Sequence, residues 1–185
     1  VNSDLSSRYD VRGSFINSDG NIVTYGYKTK NNYDPFFVEV SPTTGDTVHW
    51  ADVEGTLYPE RMRSMVELPT GGYIGVGYTS RNSNNYPWII KLKANGDTVF
   101  TKSFHTYSNT FSNCTNTLQG YFNDVIVNGS GDLVVTGQND NCWQYSTLIA
   151  QLDTADGTID WVKGNRYLNT QSGITVESYR GNAIT

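Results

Sequence analysis

PERMRSMVELPTGGYIGVGYTSRNSNNYPWIIKLKANGDTVFTKSF, residues 59–104, contains four short β-type runs. MRSMVEL comes first, then YIGVGYT, WIIKLK and DTVFTKSF. Turn signals separate them: Pro69-Thr70-Gly71-Gly72, Arg81-Asn82-Ser83-Asn84-Asn85 and Asn95-Gly96. Runs rich in Val, Ile, Thr and aromatics, bounded by Gly, Asn and Pro, are the signature of strands. Four consecutive strands with short turns predict an up-and-down antiparallel sheet. One such sheet has two open faces and two open edges, so it needs neighbours.

The neighbours are copies of the same pattern. Aligning Gly77 with Gly26 and Gly137 brings the flanking sequence into register, with spacings of 51 and then 60 residues. The second run is NIVTYGY, then YIGVGY, then DLVVTGQ. The third is FFVEV, WIIKL and LIAQL, and the fourth is DTVHWADV, DTVFTKSF and TIDWVKGN. The opening strand recurs four times, as VRGSFI from Val11, MRSMVE from Met62, FNDVIV from Phe122 and YRGNAI from Tyr179. Four-stranded repeats at about this period predict propeller blades. The expected architecture is all-β: a partial β-propeller of three four-stranded blades plus the first strand of a fourth. The blades fall at about 9–55, 59–105 and 120–168, with the fourth starting at 175–185, all within one segment spanning 1–185. The strands of the second copy carry apolar residues on both faces, as in Tyr86 to Leu92, which predicts a blade packed between two others.

The second copy, with its pattern RS…L..GGYI..GYT…W.IKL..NGDT.FTK.F, is similar to the blade repeat of large secreted bacterial β-propellers, a group common among surface proteins exported by type IX systems. The turn from Thr44 to Trp50 resembles that of quinoprotein-type blades. The turn from Ser41 to Asp46 resembles the Asp-box of sialidase propellers, with Thr43 in place of the Asp, and the turn before Trp161 is near it in spacing. In both turns the expected role is structural, a hairpin followed by an aromatic packed between blades. The resemblance implies fold and location; such repeats serve many activities.

Composition agrees with a turn-rich extracellular β protein: 18 Gly, 13 Tyr and only 17% charged residues. A net charge of −5 with scattered Lys and Arg argues against nucleic acid as a partner. No apolar run approaches the roughly 18 residues of a membrane span. The chain starts at Val1, so it reads as a processed product or a piece of a longer chain.

Residues 106–119 interrupt the period and hold Cys114; the segment after Gly137 holds Cys142. Two cysteines in neighbouring loops of an extracellular protein predict a disulfide. It would close a 28-residue span and contribute roughly 3 to 4 kcal/mol. Ligand binding is expected on the four variable loops, 28–34, 81–86, 106–119 and 139–145. Candidate sugar-stacking aromatics there are Tyr33, Tyr86, Trp143 and Tyr145. Arg12, Arg63 and Arg180 recur at one place in the opening strand, with Asn123 in the third copy. They read either as hydrogen-bonding to the neighbouring blade or as a ring of cations for an anionic sugar or carboxylate. Asn113 and Asn128 stand in N-x-[ST] sequons, the glycosylation pattern.

Chemistry is sparse. His49 and His105 lack a second ligand at metal spacing, and Asp153, Asp156 and Asp160 do not follow a calcium-loop pattern. No nucleophile or phosphate-loop motif is present, and nothing calls for a cofactor. The sequence therefore reads as a secreted or cell-surface binding, adhesion or assembly module rather than an enzyme. Its partners would be a glycan or protein on the loop face, and further blades or other copies of the chain. The alternatives are a carbohydrate-active hydrolase or lyase on a propeller, and a structural subunit of an extracellular filament.

Overall fold

The computed structural model describes residues 8–30, 32–53, 57–105, 118–140 and 146–165. Within them the chain is all-β and forms three four-stranded antiparallel sheets. Sheet 1 holds β1 (Tyr9–Ile16), β2 (Ile22–Lys30), β3 (Asn32–Val40) and β4 (Thr47–Asp52). Sheet 2 holds β5 (Glu60–Glu67), β6 (Tyr73–Arg81), β7 (Asn84–Leu92) and β8 (Thr98–Ser103). Sheet 3 holds β9 (Gly120–Val127), β10 (Leu133–Asn139), β11 (Ser146–Leu152) and β12 (Ile159–Asn165). In each, sequence neighbours are spatial neighbours. The expected fourth opening strand at 175–185 lies outside the described residues.

The recurring glycine and the recurring arginine of the repeat turn out to be one device. Val11 pairs with Gly26 and Gly13 with Tyr25, so Arg12 is an extra residue with no partner across the ladder. Arg63 is the extra residue opposite Gly77 and Val76, and Asn123 the extra residue opposite Gly137 and Thr136. A bulge of this kind bends its strand and re-aims the bulged side chain. The bent backbone leaves no room for a Cβ opposite: one added at Gly77 would lie 1.9 Å from the Arg61 carbonyl oxygen, and Gly26 and Gly137 meet the same obstacle at 2.0 and 2.1 Å. A second bulge recurs between the third and fourth strands, where Val48, Val99 and Asp160 are the extra residues.

The opening strand of each sheet lies on the sheet before it. β5 packs across β1, β2 and β3, and β9 across β5, β6 and β7. Sheet 2 is thus buried on both faces. Trp88, Ile90, Leu92 and Met62 enter the core shared with Val23 and Phe37 of sheet 1. Ile74, Val76 and Ile89 enter the core shared with Phe122, Leu133 and Leu148 of sheet 3. Full burial of each large apolar side chain contributes about 1.5 to 3 kcal/mol. The β3–β4 type turn also locks onto the preceding sheet. Gly96 sits against Ala51 and His49, and Gly157 against Phe100, whereas a Cβ at Gly45 would meet nothing. Lys91 Nζ donates to the Thr154 carbonyl in the same contact.

Two expectations change. The segments 28–34 and 81–86 are hairpin arms rather than loops, because β2 runs to Lys30, β3 starts at Asn32, and only Asn82-Ser83 turn between β6 and β7. Asn82 and Ser83 have φ of 50° and 64°, the left-handed pair of a tight hairpin whose twist matches its strands. Pro35 lies inside β3, opposite Tyr27. It is tolerated because the β4 ladder has already ended there, at the Phe36–Asp52 pair. Among the described residues, the aromatics after the Asp-box-like turns lie on the outer faces of sheets 1 and 3, with no second sheet described over them. Trp50 is 47% exposed and stacks on Phe36, and Trp161 is 38% exposed and donates to Gln151.

Candidate functional site

Each sheet has two unlike ends. At one, short turns return the chain within the sheet (17–21, 41–46 and their equivalents), held by side-chain caps such as Asn17 to Asn21 N–H and Asn128 to Asp132 N–H. At the other, the β2–β3 type hairpins close and the chain crosses to the next sheet. The crossing end differs from sheet to sheet, and it carries two constructions.

The first is a ladder of arginines and tyrosines. Asp10, Arg61 and Tyr121 occupy equivalent places in the opening strands, and Tyr27, Tyr78 and Gln138 face them from the second strands. Each pair is hydrogen-bonded: Tyr27 Oη donates to Asp10 (2.6 Å), Arg61 donates to Tyr78 Oη (2.7 Å), and Tyr121 Oη donates to Gln138 (2.6 Å). Arg61 links sheets 1 and 2, with its guanidinium 3.7 Å from the Tyr33 ring centre and 5.5 Å from that of Tyr27. Arg63 links sheets 2 and 3, lying 3.9 Å from the Tyr121 ring centre and donating to Asn123 Oδ1. Arg12 donates to Tyr27 Oη and pairs with Asp10 at 3.2 Å. A cation over a tyrosine face contributes about 0.5 to 2 kcal/mol, more as it is desolvated. The Tyr27 hydroxyl, and after it Arg12, hold the Asp10 carboxyl below its ordinary range; burial, and after it the Asp10 hydrogen bond, push Tyr27 up.

Of the sequence candidates, Arg12 and Arg63 therefore stand on partners inside the protein, and Tyr33 is half-buried beneath Arg61 instead of open for stacking. Arg180, Trp143, Tyr145, Cys114, Cys142 and Asn113 lie outside the described residues, as do 106–117 and 141–145. Asn128 is half-buried in its turn, its Oδ1 accepting from Ser130 and Asp132.

The second construction is a cavity of about 120 Å³ in sheet 2. Tyr86, Trp88 and His105 form aromatic wall, and Glu60, Thr79 and Arg81 supply polar groups. Strand alternation puts Thr79 and Arg81 on one face of β6, and Tyr86 and Trp88 on the same face of β7. Glu60 pairs with Thr79 across the β5–β6 ladder, and Thr79 with Tyr86 across β6–β7, so three strands deliver the set in one row. Glu60 is 1% exposed and Thr79 4%. Among the described residues Thr79 Oγ1 has no hydrogen-bond partner, and a buried hydroxyl left so costs about 1 to 3 kcal/mol. Trp88 donates Nε1–H to Thr101 at 2.7 Å, and His105 shares a hydrogen bond with Ser103 at 2.8 Å while its ring meets Tyr86 edge-on.

Of this set the sequence marked Tyr86 as a stacking candidate and Arg81 only as part of the segment 81–86. Glu60 and Thr79 carried one available signal: they are polar residues at positions of otherwise apolar, two-faced strands. Among the described residues, Asp153, Asp156 and Asp160 serve local contacts, capping Ala155 and Thr158 N–H and meeting Gln151. No protein-family model matches the chain, and no curated protein matches it in sequence.

Proposed function

We infer that the protein is a β-propeller segment, secreted or displayed at a cell surface, which binds a glycan or protein at the crossing end of its sheets. The observation that carries the binding reading is the cavity of sheet 2, where a buried hydroxyl without a partner faces an opening at the end where the repeats diverge. Small-molecule sites are concave, mostly apolar and furnished with a few placed polar groups, and this lining has that make-up. The propeller reading draws support from the opening strand of each sheet lying across the one before. The Gly- and Tyr-rich, sparsely charged composition supports the extracellular location.

Catalysis of glycoside cleavage uses two carboxylates across the scissile bond. Among the described residues that line the cavity, Glu60 alone is acidic, which favours binding over hydrolysis. The filament reading is favoured by a different feature, the half-exposed apolar groups on the outer faces of sheets 1 and 3, and further blades or other copies of the chain would cover the same faces.

The test is to expose the chain to a panel of glycans and peptides and map binding by hydrogen exchange. Protection is expected at 79–86 and 101–105. Protection confined to the turns 17–21, 68–72 and 93–97 would overturn the reading.

A further inference from the structure

We propose that the cavity of sheet 2 takes a single sugar ring bearing a carboxylate, of the uronic-acid type, with Arg81 on the carboxylate and Thr79 on a ring hydroxyl. This rests on the crossing end being the binding face and names the guest it would hold there.

Thr79 is the wall residue that the fold leaves unused. Its hydroxyl is buried and, among the described residues, unpartnered on an inner strand, where Val would have the same shape, better strand propensity and no polar atom to satisfy. A hydroxyl that the fold does not use is suited to a guest that can both donate and accept. Directly across the ladder, the Glu60 carboxylate is buried at the same wall.

Arg81 supplies the opposite charge. It follows Thr79 by two residues on the same face of β6, and its guanidinium rests 5.0 Å from the Tyr58 ring centre. Among the described residues it makes no ion pair, so its fork of N–H donors is available to an anion. Lys102, by contrast, reaches away to the Asp156 carbonyl of sheet 3. One cation, one carboxylate, the Thr79, Thr101 and Ser103 hydroxyls and the Tyr86 ring form a lining with a charged corner, a polar wall and a flat apolar side. A uronic acid presents the complement: one carboxylate, several hydroxyls and a C–H face. A cavity of about 120 Å³ is below the drug-sized range and suits one ring rather than a chain.

The experiment titrates the full chain with methyl β-D-glucuronoside, methyl β-D-glucoside and L-phenylalanine, followed by protein-observed NMR and calorimetry. The glucuronoside is expected to shift the amides of Thr79, Arg81 and Tyr86, and to bind at least about tenfold more tightly than the glucoside, the value of one charge-assisted contact. Arg81→Gln, at an exposed hairpin end, should erase that ratio. Thr79→Val should weaken glucuronoside binding about threefold to tenfold while leaving the unliganded Tm equal or higher. Equal binding of the two glycosides, preference for phenylalanine, or a fall in Tm for Thr79→Val would overturn the proposal. If glycan binding at 79–86 survives both substitutions, the cavity assignment fails and the binding face stands. If no ligand protects the crossing end, both fail.

Discussion

Gly77 shows how little freedom a single position keeps once a bulge is packed against it. A Cβ there would strike the Arg61 carbonyl at 1.9 Å, and the neighbouring strand cannot retreat because Met62 is fully buried. Gly77→Ala is expected to destabilise the chain by roughly 2 to 4 kcal/mol. Gly71→Ala is the control: open space surrounds it, and its φ of +85° alone should cost about 1 kcal/mol. Urea unfolding of both variants separates the clash from the backbone term. Asp10 permits a pH prediction at the same scale. Its carboxyl is held below the ordinary value of 3.8, first by the Tyr27 hydrogen bond. A depressed folded pKa contributes stability above the unfolded value and loses it as pH falls through the folded one. Thermal melts should therefore show a decline below about pH 4 that is shallower in Asp10→Asn, and identical slopes would contradict the assignment.

At the scale of the element, the hairpin between β6 and β7 is the clearest case of a turn chosen by strand twist. Asn82 and Ser83 both adopt positive φ. Asn visits that region readily and Ser does so at a cost. Ser83→Gly should raise stability by roughly 1 kcal/mol, measured by chemical unfolding, and it leaves the neighbouring Arg81 untouched. The opening strands are the elements that join the sheets: the bulges at Arg12, Arg63 and Asn123 turn each side chain out of the ladder. Arg63 then reaches Tyr121 and Asn123, one repeat further on. The same sequence feature could be read as a ring of ligand-binding cations, and the choice between the two readings depends on aromatic residues supplied by another sheet.

For the molecule as a whole, sheet 2 is covered on both faces while sheets 1 and 3 each keep one face open among the described residues. On sheet 1, Val11 is 56% and Trp50 47% exposed; on sheet 3, Ile149 is 37% and Trp161 38% exposed. Exposed apolar groups gathered on a sheet face promote association. Sedimentation of the chain over a range of concentrations is expected to show self-association, and Val11→Thr with Trp50→Ser should shift it toward monomer. A monomer at all concentrations, with one sharp unfolding transition, would mean that these faces are satisfied without a partner.

Four strands per repeat, three repeats and the position of the short turns were legible in the sequence, because they rest on local terms. Alternation, β-branched content and Gly or Asn at positive φ act within a few residues of the chain. Residues 28–34 and 81–86 misled the reading because polar hairpin arms look like loops until strand pairing extends them. The tertiary structure alone decided that Gly77 and Arg63 belong to one bulge, that Arg61 lies over Tyr33, and that Trp50 faces outward. It also assembled the cavity, whose Glu60, Thr79, Trp88 and His105 are drawn from across sheet 2. Desolvation and packing act between groups that the chain brings together only after its sheets have formed, and no local pattern carries that information.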